Sequence, residues 1–143
     1  MARVKVELPA HFSFSTTIPV RITDINYGGH VGNDTILSLI HEARVQFLRQ
    51  HGYEELKFAG VGLIMSDVAI EFKNESFYGD QILVSVTATE FSKVAFELYY
   101  KLEKKTGDNP VVIAIAKTGM VCYDYDRKKV VAVPVEAVDK LTS

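Results

Sequence analysis

The sequence predicts an α+β fold in which one long helix covers a sheet of about five antiparallel strands. Only residues 33–50 repeat apolar side chains at helical spacing over a long stretch. Most other apolar segments are short, are rich in β-branched and aromatic residues, and alternate between apolar and polar side chains. The helix falls between the first predicted strand and the remaining four, so the predicted order is strand, helix, then four strands.

The first strand is predicted over residues 12–22, which are rich in Phe, Thr, Ile and Val. The helix that follows has Asn33 or a neighbour as its cap and Gly52 as its stop. At 1.5 Å per residue it is roughly 27 Å long. Its apolar stripe consists of Ile36, Leu39, Ile40, Ala43 and Phe47.

The remaining strands are predicted over residues 62–73, 81–91, 94–104 and 111–125, followed by a short helical turn over 135–141. The strand over 111–125 is almost continuously apolar, so we expect it to be central and covered on both faces. One helix covers one face of such a sheet. We expect no other segment to cover the second face or the sheet edge, which predicts a homo-oligomer.

The composition is that of a single globular domain spanning residues 1–143. A formal net charge of −2 gives no reason to expect nucleic acid or an anionic membrane as a partner. The lone Cys122 excludes an intrachain disulfide and any multi-cysteine metal site, and we expect it to pack in a strand. Neither a signal peptide nor a membrane-spanning run is predicted, so we expect a cytoplasmic protein.

A polar, glycine-rich loop over residues 24–33 is the most informative stretch for function. It leads into the helix N-terminus, whose free N–H groups can stabilise a developing oxyanion. A capped turn without chemistry is the alternative interpretation. The loop brings together the polar residues Asp24, Asn26, Tyr27, His30 and Asn33 and the glycines Gly28, Gly29 and Gly32.

Glu42 lies on the helix face opposite the apolar stripe, together with Thr35, Ser38 and Arg49. Such a face is either simply solvated or enclosed by an oligomer, where a carboxylate would serve chemistry. The sequence contains no zinc-type motif, P-loop, dinucleotide fingerprint or serine-hydrolase elbow. We therefore expect no metal and no cofactor.

Residues 24–33, read as D-I-N-Y-G-G-H-V-G-N, resemble the Asp-x-Asp-x-x-x-His-Val-Asn-Asn signature of the 4-hydroxybenzoyl-CoA thioesterase-like hotdog family. The stretch His41-Glu42-Ala43-Arg44 is similar to that family's Glu-Ala-Arg segment, and residues 77–80 resemble its Gly-Asp turn. The last long strand and Pro134 also match. The resemblance covers roughly residues 20–141.

This resemblance implies a hotdog fold, a curved sheet wrapped around the long helix, paired into dimers or dimers of dimers. It also implies hydrolysis of acyl-CoA or acyl-carrier-protein thioesters at an interfacial site, without metal or cofactor. One position departs from the signature, because Asn26 stands where many members carry the catalytic acid. An amide is neither a nucleophile nor a general base at neutral pH.

A second branch of the family implies another arrangement, in which Asn26 and the Asn33 backbone N–H bind the thioester carbonyl and Glu42 is the base or nucleophile. Asn33 and Glu42 are nine residues apart, about 13 Å along a helix, so both can act only if Glu42 comes from the neighbouring subunit. Asp24 is expected to orient the loop and remains a candidate catalytic acid.

Tyr27, Gly28 and His30 are expected to contact the substrate, and Lys93 to contact the phosphates of coenzyme A. The basic residues 127–129 offer a second phosphate contact or a solvated turn. The main rival function is a hotdog protein that binds acyl-CoA without hydrolysing it. A dehydratase on the same fold ranks last, since the motif lacks its paired histidine and acid.

Overall fold

The computed structural model describes residues 3–142 and confirms the predicted order of elements. A short 3₁₀ helix, Ile22–Asp24, and the two-residue β6 were not predicted, and the first strand is shorter than residues 12–22. The elements are β1 (Phe14–Pro19), α1 (Asn33–Gln50), β2 (Gly62–Phe72), β3 (Gln81–Thr89), β4 (Ala95–Thr106), β5 (Asn109–Asp124), β6 (Lys129–Val130) and α2 (Val135–Thr142).

The strands form one antiparallel sheet in the order β1-β3-β4-β5-β2, with β6 paired to the end of β5. β4 therefore lies in the middle, and β1 and β2 are the two edges. The pairing places Ile18 opposite Ile82 and Leu98 opposite Thr118, so the apolar residues of neighbouring strands share one face. This shared face is the one that packs against α1.

The core lies between α1 and the inner face of the sheet, which confirms the hotdog arrangement expected from the sequence. Phe47 on α1 meets Phe14 on β1 with ring centroids 5.8 Å apart. The helix ends at Gln50, and Gly52 just beyond it has a φ of 82°, the left-handed conformation expected of a glycine that follows a helix. All five residues of the predicted apolar stripe are buried: Ile36, Leu39, Ile40, Ala43 and Phe47.

The strand predicted over residues 111–125 lies inside the sheet as expected, but the prediction that both of its faces are covered is wrong for the single chain. β5 is an interior strand beside the central β4. Ala116, Met120 and Cys122 are buried in the core, whereas Lys117 and Val121 between them are only half-buried. Some of the residues of β5 that face away from the core are apolar, such as Val121, because they too are partly shielded from water.

The outer face of the sheet is crossed by residues 3–12, which corrects the expectation that no other segment covers it. Val6 is buried, and its N–H donates to the Glu71 carboxylate on β2 at 2.6 Å. Further along, the Phe12 ring lies 5.6 Å from the Lys101 ammonium on β4, and Ser13 lies 3.5 Å from Thr87 on β3. The N-terminal segment therefore covers part of the face that was assigned to an oligomeric partner.

Candidate active site

The loop over residues 24–33 is closed by its own backbone and anchored to the sheet. The Asn26 N–H donates to the His30 carbonyl at 2.9 Å, and the Gly29 N–H donates to the Asn26 carbonyl at 3.0 Å. Gly29 has a φ of 82°, a conformation open to glycine at little steric cost. The Val31 N–H donates to the Ser76 carbonyl at 2.8 Å, so the loop holds its side chains in a defined position before β3.

Asp24 is buried and holds the chain just before the loop. Its carboxylate accepts the Arg21 backbone N–H at 2.8 Å and two guanidinium contacts at 3.3 Å each. Partial burial works against the charge, but these bonds outweigh it and lower the pKa of Asp24. These contacts are compatible with the expected orienting role of Asp24, which stays a prediction.

The Asn26 side chain lies across the loop between two glycines. Its Oδ1 accepts the Gly28 N–H at 2.8 Å, which fixes the orientation of the amide. A Cβ placed on Gly32 would lie 3.7 Å from the Asn26 Nδ2, so the NH₂ group is directed towards the start of α1. Asn26 therefore offers a donor at the helix N-terminus, where the sequence-based hypothesis places the thioester carbonyl.

Asn33 is the first residue of α1, so of the two predicted caps, Asn33 or a neighbour, it is the neighbour that holds the position. The N-cap is Gly32, which has no side chain with which to accept a hydrogen bond. The Ile36 N–H bonds to the Gly32 carbonyl at 3.1 Å and closes the first turn. The N–H groups before it have no acceptor within the helix, so the Asn33 N–H is suited to bind an oxyanion.

His30 and Asn33 line a depression of about 290 Å³ together with the end of β2. The His30 Nδ1 donates to the Val31 carbonyl at 3.2 Å, which leaves Nε2 directed towards Gly28. The polar lining comes from His30 and Asn33 of the loop and from residues 73–76 after β2, and the apolar lining from Val31, Ile36, Phe72 and Ile113. Such a mixture suits an acyl group attached to a polar thioester.

Glu42 faces a second depression of about 300 Å³, which it shares with Asp24, Arg21 and Ser38. The Glu42 carboxylate is exposed and accepts the Gln46 side-chain amide at 2.7 Å. The structure thus brings Glu42 close to Asp24 but places it in a different depression from Asn33. This separation agrees with the spacing of about 13 Å expected along the helix.

Tyr27 and Lys93 are exposed residues whose predicted contacts with substrate stay predictions. Tyr27 lies at the tip of the loop and is fully exposed. Lys93 follows β3, whereas the loop is anchored just before β3, so the nine residues of that strand separate the two by roughly 30 Å. Lys93 therefore lies well away from the loop of its own chain.

A buried polar network under α1 was not predicted from the sequence. Arg44 is buried, and it donates to the Glu55 carboxylate at 3.0 Å and to the Tyr100 hydroxyl at 3.3 Å. The Tyr100 hydroxyl is 2.7 Å from that of Thr118, and Glu55 also lies 3.2 Å from the His41 ring. The signal was available, because Arg44 lies four residues after Ile40 on the inner face of the helix.

None of the helices within residues 3–142 has the length and apolar character required to cross a membrane. The same residues contain no group of three or more His, Cys, Asp or Glu side chains placed to hold a metal ion.

Burial raises the pKa of the Cys122 thiol to about 11, so it remains protonated at neutral pH. This agrees with the packing role expected for Cys122.

The fold recurs in solved structures of coenzyme A thioesterases. A 1,4-dihydroxy-2-naphthoyl-CoA thioesterase from Synechocystis superposes with a TM-score of 0.81 at 22% identity, covering 91% of this chain and 96% of that one. A 4-hydroxybenzoyl-CoA thioesterase from a Pseudomonas strain gives a TM-score of 0.79 at 14% identity, covering 91% and 99%. At these identities the likeness shows the hotdog fold and nothing finer.

Sequence comparison identifies the family. A curated protein of Aquifex aeolicus that carries the provisional name of esterase is 26% identical over 124 residues, covering 85% of this chain and 92% of that protein. The sequence profile of the thioesterase-like superfamily matches residues 20–141. The chain therefore belongs to the thioesterase-like superfamily, which confirms the predicted enzyme class, a thioester hydrolase.

Proposed function

We propose that this protein hydrolyses acyl-CoA thioesters to a free acid and coenzyme A at a site formed between two subunits. The observation that carries the proposal is the Asn26 amide, which the Gly28 N–H orients so that its NH₂ group is directed towards the open N-terminus of α1. Together with the Asn33 N–H it supplies two donors for one carbonyl oxygen. Two such donors are the arrangement that stabilises an oxyanion in acyl transfer.

In the proposed reaction the thioester oxygen accepts hydrogen bonds from the Asn26 Nδ2 and the Asn33 N–H. The Glu42 carboxylate of the partner subunit removes a proton from water as that water attacks the carbonyl carbon. The C–S bond then breaks, and the thiolate leaves and takes up the proton. In a variant of this route Glu42 attacks directly and gives a mixed anhydride, which water hydrolyses.

The need for a second subunit is supported by the surface of β2. This edge strand pairs with another strand, β5, on one side only, and its other side is met by the chain near its start, where the Leu63 N–H donates to the Glu55 carbonyl at 2.6 Å. Four of its apolar side chains are also exposed, namely Ile64, Met65, Val68 and Phe72. We propose that a second copy covers this edge, giving a dimer or a dimer of dimers. Sedimentation showing an active monomer at micromolar concentration contradicts this arrangement.

The alternative is a protein that binds acyl-CoA without hydrolysing it. The observation in its favour is that Asn26 replaces the acid of the family signature, and the loop offers no other unpaired carboxylate, since Asp24 is engaged by Arg21. Neither function specifies the identity of the acyl group. For both functions the ligand is either an acyl-CoA or an acyl-carrier-protein thioester. The cytoplasm, a reducing compartment that suits a free cysteine such as Cys122, is the proposed location.

The test is a panel of aliphatic and aromatic acyl-CoA thioesters, assayed both for binding and for release of free thiol. Hydrolysis predicts steady thiol release for at least one member, abolished or strongly reduced in Glu42→Gln. That variant keeps the size of the side chain and removes its ability to act as a base. Tight binding of a panel member without thiol release in the wild-type protein favours the alternative instead.

A further inference from the structure

Glu42 is held by a chain of hydrogen bonds that extends to another element of the fold. The Gln46 Nε2 donates to the Glu42 Oε2 at 2.7 Å, one turn further along α1. On its other side, the Gln46 Oε1 accepts the Thr16 hydroxyl of β1 at 2.5 Å. Both Gln46 and Thr16 are half-buried between the helix and the sheet, whereas Glu42 is exposed.

The chemistry of the three side chains fixes which of them donates and which accepts in each of these hydrogen bonds. An ionised carboxylate accepts hydrogen bonds and donates none, so the NH₂ end of the Gln46 amide must face Glu42. The amide oxygen then faces Thr16, whose hydroxyl is left with the donor role. Without the Thr16 hydroxyl, the Gln46 side chain would lose its second anchor, could adopt other rotamers, and would no longer hold Glu42 in one orientation.

An exposed glutamate on a helix ordinarily samples several rotamers. Here Oε2 is bound, so Oε1 is the oxygen left to face the depression shared with Arg21 and Asp24. Those two residues are the charged groups that line this depression with Glu42, and they are engaged with each other. We propose that Gln46 and Thr16 are positioning residues that hold Glu42 in its reactive orientation. This inference rests on the proposed role of Glu42 as base or nucleophile.

The first test removes the hydroxyl of Thr16 and leaves the fold intact. Thr16→Val is isosteric and suits a strand, so the unfolding midpoint should be close to that of the wild type. We expect kcat for the best acyl-CoA of the panel to fall by about ten- to a hundredfold with little change in KM, as expected for a misplaced reacting group. Thr16→Ser, which retains the hydroxyl, should restore most of the activity.

Gln46→Met should have the same effect as Thr16→Val, since it removes the amide and keeps the length of the side chain. The matched control is Thr89→Val, at the far end of β3 on the outer face, which should leave kcat unchanged. Unchanged kcat in both Thr16→Val and Gln46→Met overturns the inference. Loss of kcat in the Thr89→Val control, equal to that of Thr16→Val, overturns it as well.

The decisive measurement places Thr16→Val in the Glu42→Gln background. Groups that act only through Glu42 should cause no further loss of the residual kcat once its carboxylate is gone. A further loss of the same size as in the wild-type background overturns the positioning role and leaves the proposed function standing. If Glu42→Gln itself retains wild-type turnover, the proposed base is wrong, and the positioning role is refuted with it.

Discussion

Two inactive variants should restore each other's activity if the site spans two subunits. In the proposed site, Asn26 and Asn33 come from one chain and Glu42 from its partner. Asn26→Ala removes a carbonyl donor and Glu42→Gln removes the base, so each homodimer carries the same defect in both of its sites. A mixed dimer is different, because one of its sites receives both defects and the other receives neither.

The expected size of the recovery follows from this symmetry. Random exchange of equal amounts of the two variants makes about half of the dimers mixed, and each mixed dimer has one intact site of two. The mixture should therefore reach about one quarter of wild-type turnover. The turnover of Glu42→Gln alone should be at least about a hundredfold below that of the wild type. The turnover of Asn26→Ala alone should be about ten- to a thousandfold below it.

The assay is thiol release after co-incubation, with subunit exchange followed by co-purification of two differently tagged chains. The control is each variant mixed with a tagged copy of itself, which should show exchange without recovery. If mixed dimers form and turnover stays at the average of the parents, both groups act from one chain. Asn33 and Glu42 lie nine residues apart on the same helix, and no movement of α1 brings them together, so one of the two would then lie outside the site.

Three further outcomes are expected. Asn26→Ala should lower kcat by about ten- to a thousandfold, the scale of one oxyanion donor, and unchanged kinetics in this variant would remove Asn26 from the mechanism. Asn26→Asp should change the pH dependence of turnover if the loop accepts an acid at this position. The folded-state pKa of Asp24 lies below its unfolded value, so its charge stabilises the fold above about pH 4 and this contribution is lost as the pH falls through the folded pKa. Thermal unfolding should therefore show Asp24→Asn less stable than wild type at pH 7, with the gap narrowing in acid; a constant gap would contradict this. Treatment with a chelator should leave thiol release unchanged, and a loss restored by zinc or magnesium would show that the site holds a metal.

The order of elements could be predicted because each depends on local periodicity. The apolar spacing of α1 and the alternation along β3 and β4 are properties of short segments, and the structure confirms them. The end of the first strand could not be predicted in this way. β1 ends at Pro19, and the chain then turns through the 3₁₀ helix because the Asp24 carboxylate binds Arg21. β6, with two residues, is too short to give a periodic signal.

The cover of the outer face could not be predicted in the same way. Residues 3–8 alternate between polar and apolar side chains, but this alternation does not identify the surface that the segment meets. Their position is set by contacts with residues 65 or more positions away, such as the bond from Val6 to Glu71. A sequence pattern reports which side chains avoid water. It does not report which distant segment shields them.

The sequence by itself determined the α+β class, the loop that carries the candidate site and the family signature within it, because these depend on neighbouring residues. The tertiary structure alone decided how the site residues are arranged. It turned Asp24 towards Arg21 and aimed the Asn26 amide at the helix start. It also joined Glu42 through Gln46 to Thr16 on β1, thirty residues before Gln46 in the chain. Side-chain direction depends on the acceptors and donors that packing brings within about 3 Å, and only the folded chain supplies them.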